Sequence, residues 1–504
     1  LEYAVHDPRN ILRTILYTVL YHLFGINAAA FRISTILFHL MTVWFVFILV
    51  WLLTNTRTAV ITAALFATHP LLTEPVIWIS GGIYPQYSMV ILAGLICYIL
   101  GLKDKRFYTA TFILLIVSLL VSEKAIVFPF LIFLFDVATG RLSKNWKWYV
   151  LFFGVAGVFL MFIAKLFFER LYLLSSAYYL ESGFDNPLFL IPVALSNYVF
   201  LLFWPYRLTL YHTEIAPTHF QFGIQAVATI LYGILLVVTY RKNRSLFFFL
   251  TFFFISLIPF LTPFRITWIV AERYVYLGSI GIIASVSIGL SWVMRRYAEY
   301  RDVIIGIVAI IVMIFSIRSM IRNAHWKNED VLWAATVVAS PKSHNAHNNM
   351  GDVYVRQGNY EKAALEFSRA IEIKPDYADA YHNLANTYQH LRNQEQALIF
   401  YQKALEINPN IWQSHVQMAG IYGAQGDLQK AEEELAKALE ISPNNPDVLT
   451  SFAVLYLFRG DFQKASEYVQ QALQLNPKNV RAQEVWKQIQ SGSPLVLPTP
   501  SATP

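Results

Sequence analysis

The sequence predicts an all-α protein in two parts, a polytopic bundle of membrane helices followed by a soluble α-solenoid. Three observations carry that expectation. Hydrophobic residues make up 56% of the 504 positions and charged residues only 14%, with a mean hydropathy of +0.46, which is too apolar for a wholly soluble chain. The apolar runs are confined to residues 1–322. Beyond them Pro341, Pro375, Pro409, Pro443 and Pro477 recur every 34 residues, the mark of a stacked helical repeat.

Charge divides the same way. Residues 341–504 hold 14 Lys and Arg against 17 Asp and Glu, a net of −3, and the remainder holds 25 against 15, a net of +10. The basic balance therefore belongs to the membrane half, where loop cations set orientation, and it does not argue for nucleic acid. Cys97 is the sole cysteine, so no disulfide framework or cysteine metal site is expected. No His/Asp/Glu group has metal-ligand spacing, and no phosphate-binding glycine loop occurs. Leu1 is not a start methionine and no signal segment precedes the first apolar run, which reads as truncation at the N-terminus.

Taken in order, residues 9–24 mix arginines with Leu, Ile and Tyr at helical spacing and read as an interfacial helix. About ten spans are then expected, at 31–53, 58–72, 84–102, 107–121, 125–138, 146–168, 221–240, 245–262, 273–294 and 302–321. Three of these, at 58–72, 107–121 and 125–138, are short for a crossing of about 20 residues. Residues 187–204 are apolar but framed by Pro187, Pro192 and Pro205, and are expected to lie in the interface. Basic clusters at Lys103/Lys105/Arg106, Arg141/Lys144/Lys147, Arg241/Lys242/Arg244 and Arg295/Arg296/Arg301 then share one side, which the charge rule makes cytoplasmic. Arg318, Arg322 and Lys327 past the last span oppose that assignment and are outnumbered.

The opposite side receives the unusual chemistry. His69-Pro70-Leu71-Leu72-Thr73-Glu74-Pro75 places a carboxylate and two prolines between apolar runs. An ionisable group near bilayer depth is costly unless paired, which marks a functional position. Glu74 capping a helix at the membrane surface fits the same residues. Glu123-Lys124 stands between two short spans, and Glu272-Arg273-Tyr274 opens another. Glu272 suits a helix N-terminus, but Arg273 opposes the dipole there, and arginine forks onto phosphate or carboxylate.

His69-Pro70 with Thr73-Glu74-Pro75-Val76, Ser122-Glu123-Lys124 before Pro129 and Asp136, and Glu272-Arg273-Tyr274-Val275-Tyr276-Leu277 resemble, in that order, the transmembrane-and-tetratricopeptide-repeat O-mannosyltransferase family and its bacterial relatives. The resemblance implies a C-type integral-membrane glycosyltransferase that takes sugar from a polyprenyl-phosphate donor on the extracytoplasmic or lumenal face. It implies an eleventh span and a principal catalytic acid upstream of Leu1, so that Asp7 is the carboxylate left in that region beside Glu2. Where the family often carries a Gly-Arg-acid step, Gly81-Gly82-Ile83-Tyr84 stands uncharged. Glycosyl transfer needs a carboxylate to take a proton and cations to stabilise the departing phosphate. Glu74, Glu272 and Asp7 are the catalytic candidates, and Arg273, His69, Lys124 and Arg265 the donor-phosphate candidates. His69 also reads as a packed or capping histidine. No cofactor is expected beyond the lipid-linked sugar. The membrane is the plasma or inner membrane in a bacterium and the endoplasmic reticulum in a eukaryote.

Residues 323–340 read as a linker with a half-repeat, 341–490 as four tetratricopeptide repeats with a cap helix at 480–490, and 491–504 as a disordered Pro/Ser/Thr-rich tail. Gly351, Ala385, Ala419 and Ala453 recur on the first helices. On the second helices Ala363, Ala397, Ala431 and Ala465 recur, and so do Ala370, Ala404, Ala438 and Ala472. Gly358, Gly426 and Gly460 mark the turn between helices, with Arg392 in the remaining place. The concave face offers Asn345, Asn348, Asp352, Asp379, His382 and Asn386 to a peptide, since amides bond a backbone without reading its sequence. An ordinary solvated face fits the same residues. Two functions stay open at this stage. One is a sugar transferase whose repeats present a protein acceptor; the other is a non-enzymatic membrane-anchored scaffold for assembly or secretion.

Overall fold

The computed structural model describes residues 10–142, 146–177, 187–210, 212, 215, 217–261 and 269–491. Among them all regular structure is helical, and the chain divides into two compact units, Leu1–Leu332 and Trp333–Pro504.

In the first unit six helices are long and apolar enough to cross a bilayer, among the described residues: Ala28–Leu53, Ile79–Gly101, Trp146–Ala164, His219–Lys242, Glu272–Arg296 and Ala298–His325. This corrects the expectation of about ten. The pair Thr56–Thr68 and Pro70–Ile77 adds a seventh only if a 55° bend is counted as one span. Arg106–Val121 has 16 residues and Phe128–Thr139 has 12, or about 24 and 18 Å of helix, against the roughly 30 Å of hydrocarbon. Arg244–Phe260 also falls short of a crossing, as does Phe189–Phe203. An apolar run reports burial in lipid or in protein alike, and these are buried partly in protein. Phe248, Phe249, Phe252 and Phe253 are at most 1% exposed.

The interruptions have local causes. Pro70 cannot continue the preceding helix and starts a 3₁₀ turn over Pro70–Leu72. Ser122 caps a second such turn at Glu123–Val127 through Lys124 N, and a third covers Glu272–Val275. Non-helical backbone at membrane depth survives only where protein surrounds it, and the latter two turns carry charge themselves while the first leads into Glu74.

Helix Tyr276–Arg296 rests on Arg244–Leu257 at Gly281, where an added Cβ would run into the Phe249 carbonyl and the Phe253 amide. Backbone does not yield as a side chain does. Gly281→Ala is therefore expected to cost about 1–3 kcal/mol, read as a lower melting temperature in detergent, whereas Gly289→Ala, in open space, leaves it unchanged.

The second unit is a regular helical array. First helices begin at His344, Ala378, Trp412 and Pro446, and second helices at Tyr360, Gln394, Leu428 and Phe462, so the period of the prolines is the period of the fold. Ala363, Ala370, Ala385, Ala397, Ala404, Ala453, Ala465 and Ala472 are all fully buried. A Cβ at Gly351 would meet the Phe367 ring at 2.5 Å. Asn359, Asn393, Asp427 and Asp461 cap the second helices through the backbone amides of Lys362, Gln396, Lys430 and Lys464. The cap helix forms over Val480–Ser491, and the predicted tail beyond it lies outside the described residues.

Three glycines and one arginine end the first helices with positive φ. Arg392, at 59°, is the non-glycine residue in that region among the described residues. The left-handed conformation costs a residue with a Cβ about 1–2 kcal/mol. Arg392→Gly should raise the stability of the array, seen as slower amide exchange in Ala378–Ile407, while Gly426→Ala should lower it.

Candidate functional site

The charges flagged in the apolar half meet in the structure. Glu74 lies on the short helix Thr73–Ile77 and is fully buried. Arg273 Nη1 donates to its Oε1 at 2.6 Å, across 199 residues of sequence. The Arg273 guanidinium also stands 5.1 Å from the ring centres of Trp78 and Tyr274. Glu74 Oε2 is buried with no hydrogen-bond partner.

Glu272, next to Arg273 in sequence, turns to a different set of donors. Its Oε1 accepts the Thr209 amide at 2.5 Å, and Arg322 Nη2 reaches both of its oxygens at 3.3 Å. His212 Nε2 stands 3.7 Å from Oε1. In a 3₁₀ turn successive side chains diverge by a third of a turn, which lets Glu272 and Arg273 address separate partners. Glu272 and Arg322 lie close enough to act on Glu74 electrostatically, so two acids and two arginines form one buried set. Removing one member of such a set strands its partner.

Aromatic rings wall the set. Phe260 and Tyr274 stack with centres 4.4 Å apart, and Tyr84 lies within 6.4 Å of both Tyr274 and Phe260. Tyr198 OH accepts the Ala271 amide at 3.2 Å and donates to the Ile269 carbonyl.

The remaining sequence candidates divide. His69 caps its 3₁₀ turn, with Nδ1 accepting from Leu71 N at 3.2 Å and Nε2 donating to the Leu202 carbonyl at 2.9 Å. Both ring nitrogens are thus in use, and the donor-phosphate role expected for His69 gives way to the capping one. Lys124 is half-buried and paired with Glu123 at 2.7 Å. Asp7 and Arg265 lie outside the described residues.

Two residues named in the sequence have partners that it does not reveal. Arg322, which the charge rule treats as a loop cation, is 2% exposed and bound to Glu272. Its signal is that very conflict with the sidedness of the basic clusters. Asp136, fully buried, accepts from Tyr98 OH at 2.5 Å and from Tyr149 OH.

In the second unit four of the six groove candidates are held in side-chain hydrogen bonds, within a helix, to the paired second helix and across to neighbouring repeats. Tyr377 OH donates to Asn345 Oδ1 at 2.9 Å, and Asn383 Nδ2 to Asn348 Oδ1 at 3.1 Å. Asn386 Nδ2 donates to His382 Nε2 at 3.1 Å, His382 Nδ1 to Ser414 Oγ at 2.7 Å, and Tyr401 OH to Asn386 Oδ1 at 2.5 Å. Burial holds the His382 imidazole down to about 4, so it is neutral at physiological pH, as this bonding pattern requires. Burial raises the Asp379 carboxyl above its ordinary value, with Lys374 opposing. Asp352 is half-buried on the same face.

His347 and Glu366 join the two helices of the first repeat at 2.6 Å, and His415 and Glu434 do the same in the third. Burial pushes the Glu434 carboxyl up, but the His415 and Lys437 hydrogen bonds outweigh it and hold the group below its usual value. A depressed acid stabilises above its unfolded pKa and loses that stabilisation as pH falls through the folded value. Amide protection of Leu428–Ile441 should therefore drop as pH falls below about 4.5, and Glu434→Gln should flatten that dependence.

Family models described as tetratricopeptide repeat match residues 378–411, 400–433 and 424–488, and one described as TPR repeat matches 351–391. Residues 351–488 are tetratricopeptide repeats. The chain is also similar to protein O-mannosyl-transferases of the TMTC family over about a fifth of its length. Tmtc2 of Drosophila melanogaster is 31% identical over 121 residues, 23% of this chain and 13% of that protein. TMTC4 of Mus musculus is 30% identical over 116 residues, 22% of this chain and 15% of that protein. The matched stretches are thus a small fraction of those relatives' own lengths. Among solved structures, a thermophilic tetratricopeptide-repeat protein of Thermus thermophilus matches at 21% identity with a TM-score of 0.30. That match covers 36% of this chain and 95% of the other.

Proposed function

We propose that the protein is a membrane glycosyltransferase that moves a sugar from a polyprenyl-phosphate donor to a protein hydroxyl, with the tetratricopeptide repeats presenting the acceptor. The observation that carries this reading is Glu74, one oxygen fixed by Arg273 and the other buried without a partner. That free oxygen takes the acceptor proton as the acceptor oxygen bonds to the sugar C1 and the C1–O bond to the lipid phosphate breaks. Glu272, with both oxygens occupied, positions the turn that holds Arg273. The printed names of the relatives make mannose the first sugar to test. A second reading, a membrane-anchored scaffold, uses the repeats and the Glu272–Arg322 pair equally well but gives no role to the buried, unpartnered Glu74 oxygen. In the repeats, the Asn345 and Asn348 amides suit backbone carbonyls of an extended acceptor.

The reading requires the Glu74 side of the membrane and the repeats to share one extracytoplasmic compartment. On a Cys97→Ser background in sealed vesicles, an impermeant thiol reagent should label Ser80→Cys and Lys342→Cys from one side and Asp104→Cys from the other. Labelling of Ser80→Cys and Lys342→Cys from opposite sides overturns it. Purified protein given lipid-linked mannose and an unfolded acceptor should incorporate sugar, and none incorporated removes the transferase.

A further inference from the structure

Three positively charged or imidazole side chains near the end of helix Arg301–His325 have donor atoms with nothing to bind. Arg318, Arg322 and His325 are spaced four and three residues apart and so share one helical face. Arg318 Nη2 donates to the Tyr206 carbonyl at 2.5 Å and Arg322 Nη1 to the Leu208 carbonyl at 3.0 Å, so both clasp the segment 206–208. After those bonds Arg318 Nε, Arg322 Nε and His325 Nδ1 stay buried with no hydrogen-bond partner, as does the neighbouring Trp326 Nε1. Arg32 complements the helix C-terminus, its Nη2 donating to the Trp326 carbonyl at 2.7 Å while its Nε is also left without a partner. That role does not account for the unpartnered N–H donors Arg318 Nε, Arg322 Nε and Trp326 Nε1, or for His325 Nδ1, which donates in one tautomer. Among the described residues Glu272 is the acid bound here, and with Arg322 and Arg318 present it leaves positive charge over.

The segment that Arg318 clasps runs back from Tyr206 into open apolar residues. Phe200, Phe203, Trp204 and Tyr206 are each at least 60% exposed, and Arg318 stands 5.6 Å from the centre of the Tyr206 ring. On the helix itself Ile314, Ile317 and Met320 are exposed. Unsatisfied cationic donors beside an exposed apolar wall match an amphiphile with a phosphate head, since guanidinium binds phosphate through paired N–H groups.

We infer that Arg318, Arg322 and His325 hold the phosphate of the lipid-linked donor, with its chain lying along Phe200, Phe203 and Trp204. This rests on the transferase reading for the identity of the lipid, and it supplies the phosphate site that His69 does not.

The test measures binding, so that it stands apart from transfer. The intact protein in neutral-lipid nanodiscs is titrated with a long-chain polyprenyl monophosphate and bound lipid is counted by native mass spectrometry. Arg318→Gln should weaken binding about tenfold, and Arg322→Gln with Glu272→Gln, which strands no buried charge, by more. Melting temperatures near that of the parent certify the fold of each variant. Unchanged affinity in both variants overturns the site. Equal competition by inorganic phosphate, or equal binding of phosphatidylglycerol, overturns the assignment to the donor. Binding that is lost in the variants of a protein that transfers no sugar would keep the phosphate site and remove only the transferase.

Discussion

Glu74→Gln is expected to reduce sugar transfer by about 10²–10⁴-fold, the range associated with a positioned acid or base, while the protein still inserts and folds. The amide keeps the shape of the carboxyl and leaves Oε1 able to accept from Arg273, which is held in addition between Trp78 and Tyr274. What it loses is the basic lone pair on the buried atom that has no partner. Removing the charge also leaves the buried Arg273 guanidinium without its bonded carboxylate, so melting temperature must be read alongside rate. A fall in transfer with donor binding intact assigns the proton to Glu74. Unchanged transfer would move the base to another carboxylate, and an equal fall in Glu272→Gln with normal stability would contradict the positioning role given to that residue.

The contrast between the two halves of the chain shows what a sequence exposes. In the repeats, the small residues, the turn glycines and the prolines return at one phase every 34 positions, and the helix starts repeat with the same interval. Each contact there is made by near neighbours, so periodicity alone places it. The cap ladder Asn359, Asn393, Asp427 and Asp461 obeys the same period and is legible with it.

In the membrane half, burial cost singles out Glu74, Glu272 and Arg273 one at a time, because charge amid apolar sequence is legible without a fold. Their pairing is not, since Glu74 and Arg273 are 199 positions apart. Span count is overdrawn for a related reason. Hydropathy marks what avoids water, and Arg106–Val121 and Phe128–Thr139 avoid it in pieces too short to cross a bilayer. His69 misleads because an isolated histidine beside proline does not reveal whether its ring nitrogens are occupied. Arg322 stands against the sidedness of the basic clusters, and outvoting it as a loop cation hides that it is buried on Glu272.

That last arginine carries the second large effect. Arg322→Leu should destabilise the membrane unit by about 3–5 kcal/mol, because it strands a buried acid. Glu272 would retain the Thr209 amide and a histidine 3.7 Å away, but, among the described residues, no arginine or lysine within bonding distance. The lost Nη1 bond to the Leu208 carbonyl would add to this by releasing the segment that carries Thr209. Adding Glu272→Gln to Arg322→Leu should recover much of the stability, since a neutral amide is cheaper to bury than a lone carboxylate, and fluorescence-detected melting in detergent would record both steps. Arg318→Leu offers the comparison. Its side chain lies nearer solvent and bonds the Tyr206 carbonyl with no acid as partner, so its melting temperature should stay close to that of the parent. Equal losses for Arg318→Leu and Arg322→Leu would mean that the Glu272 ion pair is not what holds the end of this helix to the turn at Glu272–Val275.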